Sequence, residues 1–107
     1  MPTYLIQFSY TPQAWAALAK TPEDRSVAVA RLCEAAGGRM LSFYYAFGEF
    51  DGAILIEGTD DVTTAACVIT ALSPGHIARM QTTKLFTAAE GMEIMRKAGG
   101  MMFRGPQ

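Results

Sequence analysis

His76 is the side chain best suited to proton transfer in this 107-residue sequence, because it is the only histidine. It follows Ser73-Pro74-Gly75, so we expect it where a loop enters a strand. Imidazole titrates near neutral pH and can act as a general base, with the hydroxyls of Tyr44 and Tyr45 as hydrogen-bond partners. The competing interpretation is a surface histidine without a role, and the sequence favours it because no nucleophile or acid stands at a recognisable spacing.

Two carboxylates, Glu49 and Asp51, stand one residue apart in a segment with the composition of a turn, Gly48-Glu49-Phe50-Asp51-Gly52. They could form a paired-carboxylate ligand site. The structural interpretation is favoured over it: Gly48 takes a positive φ, Asp51 accepts turn N–H bonds, and Phe50 holds the hairpin against the core.

The remaining chemically active side chains indicate no metal or cofactor site. Arg79 and Lys84 lie on the last predicted strand and could meet an anionic ligand, although exposed charges that discourage edge pairing are the plainer interpretation. Cys33 and Cys67 fall in apolar helical segments without C-x-x-C or Cys/His spacing, which predicts reduced core thiols. We therefore expect no metal and no cofactor.

Charge and hydropathy disfavour several classes of partner. Nine Lys plus Arg balance ten Asp plus Glu, the net charge is −1, and no basic run is present. Nucleic acid and membrane surfaces are thus not expected as partners. The start of the chain, Met1-Pro2-Thr3-Tyr4, lacks the features of a secretory signal, so a cytoplasmic protein is expected.

The spacing of apolar residues predicts four strands and four helices. Capping hydroxyls, carboxylates, prolines and glycines mark where the helices begin and end. The first half is predicted as a strand at 3–10, a helix that begins at Thr11-Pro12, a helix that begins at Thr21 and ends at Gly37-Gly38, and a strand at 39–47. The second half is predicted as a strand at 53–57, a helix capped at 59–61, a strand at 77–86, and a helix that begins with a Thr87–Glu90 capping box and ends at Gly99-Gly100. The helix capped at 59–61 is expected to face the core with Val62, Ala65, Ala66, Ile69 and Leu72.

This order predicts an α+β, ferredoxin-like βαββαβ sandwich, with a four-stranded antiparallel sheet, helices on one face and an added C-terminal helix. We expect a single domain over residues 1–107, with a core at 1–98 and an apolar tail at 99–107. Met101, Met102 and Phe103 in that tail predict a docking segment, either on the same core or across a subunit boundary.

Large side chains are expected on both faces of the first two strands, with Tyr44 and Met40 opposite Leu41, Phe43 and Tyr45. Helices cover only one face, so the other face needs a partner. A second copy of the sheet is the economical cover. We therefore expect a homodimer or higher homo-oligomer of barrel-like shape that can enclose a small apolar molecule between the sheets.

The segment Phe43-Tyr44-Tyr45-Ala46-Phe47-Gly48-Glu49-Phe50-Asp51, followed by an apolar strand, resembles the signature of the GYD domain family. The resemblance extends from the first strand to the last helix. It implies a ferredoxin-like fold, similarity to dimeric α/β-barrel proteins, and a family without an established biochemical function. Phe50 departs from the family's tyrosine, whereas Gly48 and Asp51 match.

Two hypotheses about function follow. The first is a homo-oligomeric GYD module that binds a small apolar molecule between sheets and has no catalytic group. The second, which rests on analogy of fold, is a cofactor-independent oxygenase or isomerase with His76 as the base. Whether His76 faces an enclosed cavity discriminates between them.

Overall fold

The computed structural model describes residues 1–106, which form one four-stranded antiparallel sheet and four helices. The elements are β1 Thr3–Tyr10, α1 Pro12–Lys20, α2 Ser26–Ala35, β2 Arg39–Tyr45, β3 Gly52–Glu57, α3 Asp61–Leu72, β4 Ile77–Leu85 and α4 Ala88–Gly99. The strand order in the sheet is β2-β3-β1-β4, as the ferredoxin-like prediction requires.

The core lies between the sheet and the first three helices. Side chains alternate along β1, so that every second residue is buried against the helices. The buried apolar residues are Tyr4, Ile6, Phe8, Tyr10, Ala14, Cys33, Ile54 and Ile56. The opposite face of the sheet mixes apolar and polar side chains, among them the cross-strand neighbours Leu5 and Leu55.

A β-bulge at Leu41 changes which residues of β2 face the helices. Met40 pairs with Ile56 and Ser42 pairs with Leu55, so Leu41 has no partner in the register. Met40 consequently packs against the core on the same side as Phe43. The prediction that Met40 shares a face with Tyr44 was wrong, because it assumed an unbroken alternation.

The ends of the first two helices show one correct and one wrong prediction. The Thr11 hydroxyl accepts a hydrogen bond from the Ala14 N–H at 3.1 Å, which confirms it as the N-cap of α1. The second helix does not begin after Thr21. It begins at Ser26, because the Asp24 carboxylate accepts the Ser26 N–H at 3.0 Å and holds the preceding residues in a turn. Gly37 ends this region with a φ of 82°, as predicted.

The face of α3 that packs against the core is not the one predicted. The predicted stripe is largely exposed, and Val62 keeps 81% of its surface accessible. Thr64 is buried instead, and Val68 packs against the core. The apolar residues of α3 lie on several sides of the helix, and a polar contact ties it to β1: the Tyr4 hydroxyl donates to Asp61 at 2.5 Å.

α4 extends beyond the body of the chain. Its predicted capping box is confirmed, since the Thr87 hydroxyl accepts from the Glu90 N–H and the Glu90 carboxylate accepts from the Thr87 N–H. The helix buries none of its residues, and Met101 to Phe103 are exposed. The tail therefore does not dock on its own core. No helix within residues 1–106 has the length and hydropathy needed to cross a bilayer.

Candidate functional site

An apolar cleft of about 340 Å³ lies between the helices and the buried face of the sheet. Its floor is formed by side chains of all four strands: Phe8, Phe43, Ile54 and Met80. Its walls contain several alanines, including Ala17 of α1, Ala28 of α2 and Ala71 of α3. A methyl group is too short to span the distance from helix to sheet, so these alanines leave the space unfilled.

Charged and polar groups lie at the mouth of the cleft. Glu23 and Arg25, in the connection between α1 and α2, form an ion pair with 2.8 Å between Oε1 and Nη1. His76, the residue directly before β4, also lines the cleft. Its carbonyl oxygen accepts the Thr11 N–H at 2.9 Å. The cleft thus has an apolar interior and a polar entrance.

An aromatic cluster of Tyr10, Trp15 and Tyr45 lies where Tyr10 lines the cleft, and we call this part the aromatic end of the cleft. The rings of Tyr10 and Trp15 meet edge to face with centroids 5.0 Å apart, and the hydroxyls of Tyr10 and Tyr45 are 3.4 Å apart. Burial raises the pKa of Tyr10, and the Tyr45 hydroxyl raises it further, whereas the smaller effect of Arg25 lowers it. The Tyr10 hydroxyl is therefore protonated at neutral pH.

Asp51 joins the loop after β2 to two other elements. Its Oδ2 accepts the Tyr10 backbone N–H at 2.9 Å and the Trp15 indole N–H at 2.9 Å. Its own N–H donates to the Phe8 carbonyl at 2.8 Å. The carboxylate therefore holds a distant strand and helix and not the N–H groups of its own turn.

Glu49 has different partners from Asp51. Its Oε1 lies 3.2 Å from Nη2 of Arg79, and the Arg79 guanidinium lies 4.3 Å from the centre of the Phe50 ring. These contacts hold the loop to β4, and the two carboxylates share no partner. The prediction of a positive φ at Gly48 was wrong, because among residues 1–106 only Gly37 and Gly75 have one.

The three residues proposed for catalysis do not meet. His76 lines the cleft, and Tyr45 lies beside Tyr10 at its aromatic end. Tyr44 lies on the opposite face of the sheet, paired with Ala53 and 65% exposed. The cleft instead brings together Tyr10 and Arg25, neither of which the sequence singled out for a site.

The GYD domain model matches residues 4–95, which is most of the chain. This chain belongs to the GYD domain family. The match spans every strand and the greater part of α4, and it agrees with the ferredoxin-like sheet order. No curated protein sequence matches this GYD domain protein.

Several solved structures are similar to this GYD domain protein at low sequence identity, and the first two below share its fold. The protein TTHA0845 from Thermus thermophilus has a TM-score of 0.54 and 18% identity, over 82% of this chain and 96% of that one. FFRP-DM1 has a TM-score of 0.50 and 14% identity, over 80% and 100%. A NIPSNAP-like domain protein from Burkholderia xenovorans has a TM-score of 0.47 and 17% identity, over 82% and 85%.

The segment that carries the GYD resemblance borders the cleft. Phe43 contributes to the floor, Tyr45 belongs to the aromatic cluster, and Asp51 holds Trp15 against Tyr10. Phe50, where the family has tyrosine, lies beneath Arg79 on the β4 side of the loop. The signature of this GYD domain therefore supports the aromatic end of the cleft.

Both cysteines of this GYD domain protein are free. Burial raises the pKa of the Cys33 thiol, and the neighbouring Cys67 raises it further. Both line a second cavity of about 20 Å³, which is too small for an organic ligand. No group of three metal-ligating side chains occurs within residues 1–106.

Proposed function

We propose that this GYD domain protein binds a small apolar molecule in the cleft between its helices and its sheet. A volume of about 340 Å³ lies within the usual range of ligand pockets, roughly 300–1,000 Å³. The sequence suggested a ligand enclosed between two sheets. We instead propose that the ligand binds in a cleft formed within one chain.

The observation that carries this proposal is an apolar cleft that the chain's own side chains leave unfilled. Phe43 and Met80 of its floor are only half-buried, and the short alanine side chains of the walls leave their apolar surface partly uncovered. Covering apolar surface is favourable by about 25 cal/mol per Å². A ligand of apolar character therefore gains free energy by filling the cleft.

A matched pair of variants on α3 tests the proposal. Ala71→Phe places a ring in the cleft, whereas Ala65→Phe places the same ring on the exposed side of the helix. Phenylnaphthylamine, a neutral apolar dye, is titrated into each protein and its fluorescence is recorded. We expect Ala71→Phe to weaken binding at least about tenfold and Ala65→Phe to leave it unchanged. Equal affinity in all three proteins would contradict a ligand in the cleft.

We also propose that a second copy of the chain covers the apolar surface outside the cleft. The open face of the sheet presents Tyr44 and Leu55, and α4 exposes Met92 and Met95. Groups of exposed large apolar side chains are typical of interaction surfaces. A homo-oligomer would bury it.

Light scattering measures this assembly directly. We expect a mass of at least twice 11.6 kDa for the natural chain. Tyr44→Asp is expected to return it to one chain, because a buried unpaired charge is costly. Val27→Asp adds the same charge to an exposed apolar position of α2 and should leave the mass unchanged. A mass of 11.6 kDa at every concentration would refute the assembly.

The alternative of an oxygenase or isomerase is not favoured, because His76 and Tyr44 lie on opposite sides of the sheet. We retain the cytoplasm as the proposed location, which suits the free thiols of Cys33 and Cys67.

A further inference from the structure

We infer that the ligand of the cleft has one anionic end, a carboxylate or a group of similar charge and shape, and that this end binds Arg25. The inference rests on the proposed function, since it assumes that an apolar molecule enters the cleft. It adds the chemical class of that molecule and the residue that orients it.

The charged side chains that line the cleft, Glu23 and Arg25, are partly exposed and lie at its mouth. The rest of the lining is mostly apolar and includes the Tyr10 ring. A molecule that fills the interior therefore places its polar end beside Glu23 and Arg25. The guanidinium of arginine offers a planar pair of N–H donors that matches a carboxylate.

Glu23 already shows where such a group would bind. Its carboxylate is 2.8 Å from Arg25, and the two side chains are 57% and 40% exposed. An ion pair this accessible to water contributes little stability. A ligand carboxylate can therefore replace it, because the ligand gains the burial of its apolar part and Glu23 regains full hydration.

Both members of the pair line the cleft, and Arg25 is the one placed closer to its interior. It is the less exposed of the two, and it lies close enough to the Tyr10 hydroxyl to affect the pKa of that phenol. The phenol itself stays neutral at pH 7, so Tyr10 adds no negative charge that would repel an anion. A cationic ligand could pair with Glu23 only beside the positive charge of Arg25, which would repel it.

Two isosteric probes test the inference by calorimetry: naphthoate, which is anionic, and naphthamide, which is neutral. We expect naphthoate to bind the natural chain about tenfold more tightly, the ratio typical of one charge-assisted hydrogen bond at a partly exposed site. Arg25→Gln should remove this preference while leaving the naphthamide affinity unchanged. Glu23→Gln should strengthen naphthoate binding, because it removes the competing carboxylate.

The matched control is Arg31→Gln, which removes an arginine from α2 outside the cleft and should preserve the preference. Equal binding of the two probes to the natural chain, with both weakened by Ala71→Phe, would overturn the anionic end and leave the proposed function standing. Tighter binding of naphthamide would also overturn it. If no probe binds, phenylnaphthylamine included, the proposed function and the inference fail together.

Discussion

The indole N–H of Trp15 donates a hydrogen bond to Oδ2 of Asp51 across 2.9 Å. The same oxygen accepts the backbone N–H of Tyr10, also at 2.9 Å. One carboxylate therefore joins α1, the end of β1 and the loop before β3. These elements build the aromatic end of the cleft, so its shape depends on a single acidic side chain.

Asp51→Ala is predicted to lower the free energy of unfolding by about 1–2 kcal/mol, because two N–H donors lose their acceptor. Trp15 is the only tryptophan, so its emission should shift in the folded variant. Urea midpoints and emission spectra measure the two effects. Glu49→Gln is the control and should change little, since the Glu49–Arg79 pair is exposed. Equal midpoints for Asp51→Ala and the natural chain would show that the bridge is dispensable.

Gly48, in the loop after β2, and Gly52, the first residue of β3, differ in the space around them, and Gly48→Ala and Gly52→Ala test this difference. A Cβ at Gly52 would lie 2.3 Å from the Phe8 ring, whereas nothing lies within 4 Å of a Cβ at Gly48. Phe8 is 2% exposed, and its ring is packed against the rings of Tyr10 and Phe43. We expect Gly52→Ala to destabilise by about 1–3 kcal/mol and Gly48→Ala to be neutral in urea denaturation. The reverse order would contradict the packing described above.

Asp61 is predicted to contribute to the loss of stability in acid. The Tyr4 hydroxyl, followed by the Lys84 ammonium, lowers the pKa of Asp61. Because the folded pKa lies below the unfolded value of about 3.9, the stabilisation is complete above that value and is lost as pH falls through the folded pKa. Urea midpoints between pH 6 and pH 3 should therefore fall less steeply for Asp61→Asn than for the natural chain. Glu34→Gln, on an exposed part of α2, should keep the natural slope.

Two threonine caps should differ in what they stabilise. Thr11 caps a helix that buries Ala14 in the core, so Thr11→Ala should lower the free energy of unfolding by about 1 kcal/mol. Thr87 caps α4, which buries no residue. Thr87→Ala should therefore reduce hydrogen-exchange protection within α4 and leave that of β1 unchanged. Loss of protection in β1 from Thr87→Ala would mean that α4 supports the core.

Local patterns in the sequence predicted the parts of the fold that obey local rules. The alternation of residues 3–10 predicted β1. The hydroxyls and carboxylates at Thr11, 59–61 and Thr87 predicted three helix caps, which the structure has at Thr11, Asp60 and Thr87. The rotation of α3 could not be predicted in this way. Its apolar residues lie on several sides, so their spacing does not identify the buried face. The contact between Asp61 and the Tyr4 hydroxyl, which ties the helix to β1, joins residues far apart in the chain.

The cleft was beyond prediction for a related reason. Its volume depends on the distance between helices and sheet, which no spacing of residues encodes. Tyr10 ends β1 and Arg25 lies in the connection between α1 and α2, and no motif in the sequence links them. Only the fold brings both to one cavity. The acidic residues of the loop, by contrast, attracted attention through their proximity in sequence, although they point to different partners.

The unpaired residue of β2 has a consequence for comparing this chain with its relatives. Upstream of Leu41 the helix-facing position is even-numbered, at Met40, and downstream such positions are odd-numbered, at Phe43 and Tyr45. In an alignment with a relative that lacks this residue, a gap opposite Leu41 matches helix-facing residues with helix-facing residues on both sides of the bulge. A gap elsewhere in β2 matches helix-facing with outward-facing residues between Leu41 and the gap. Any substitution transferred from a relative without the extra residue must therefore be checked for its side of the sheet before its effect is judged.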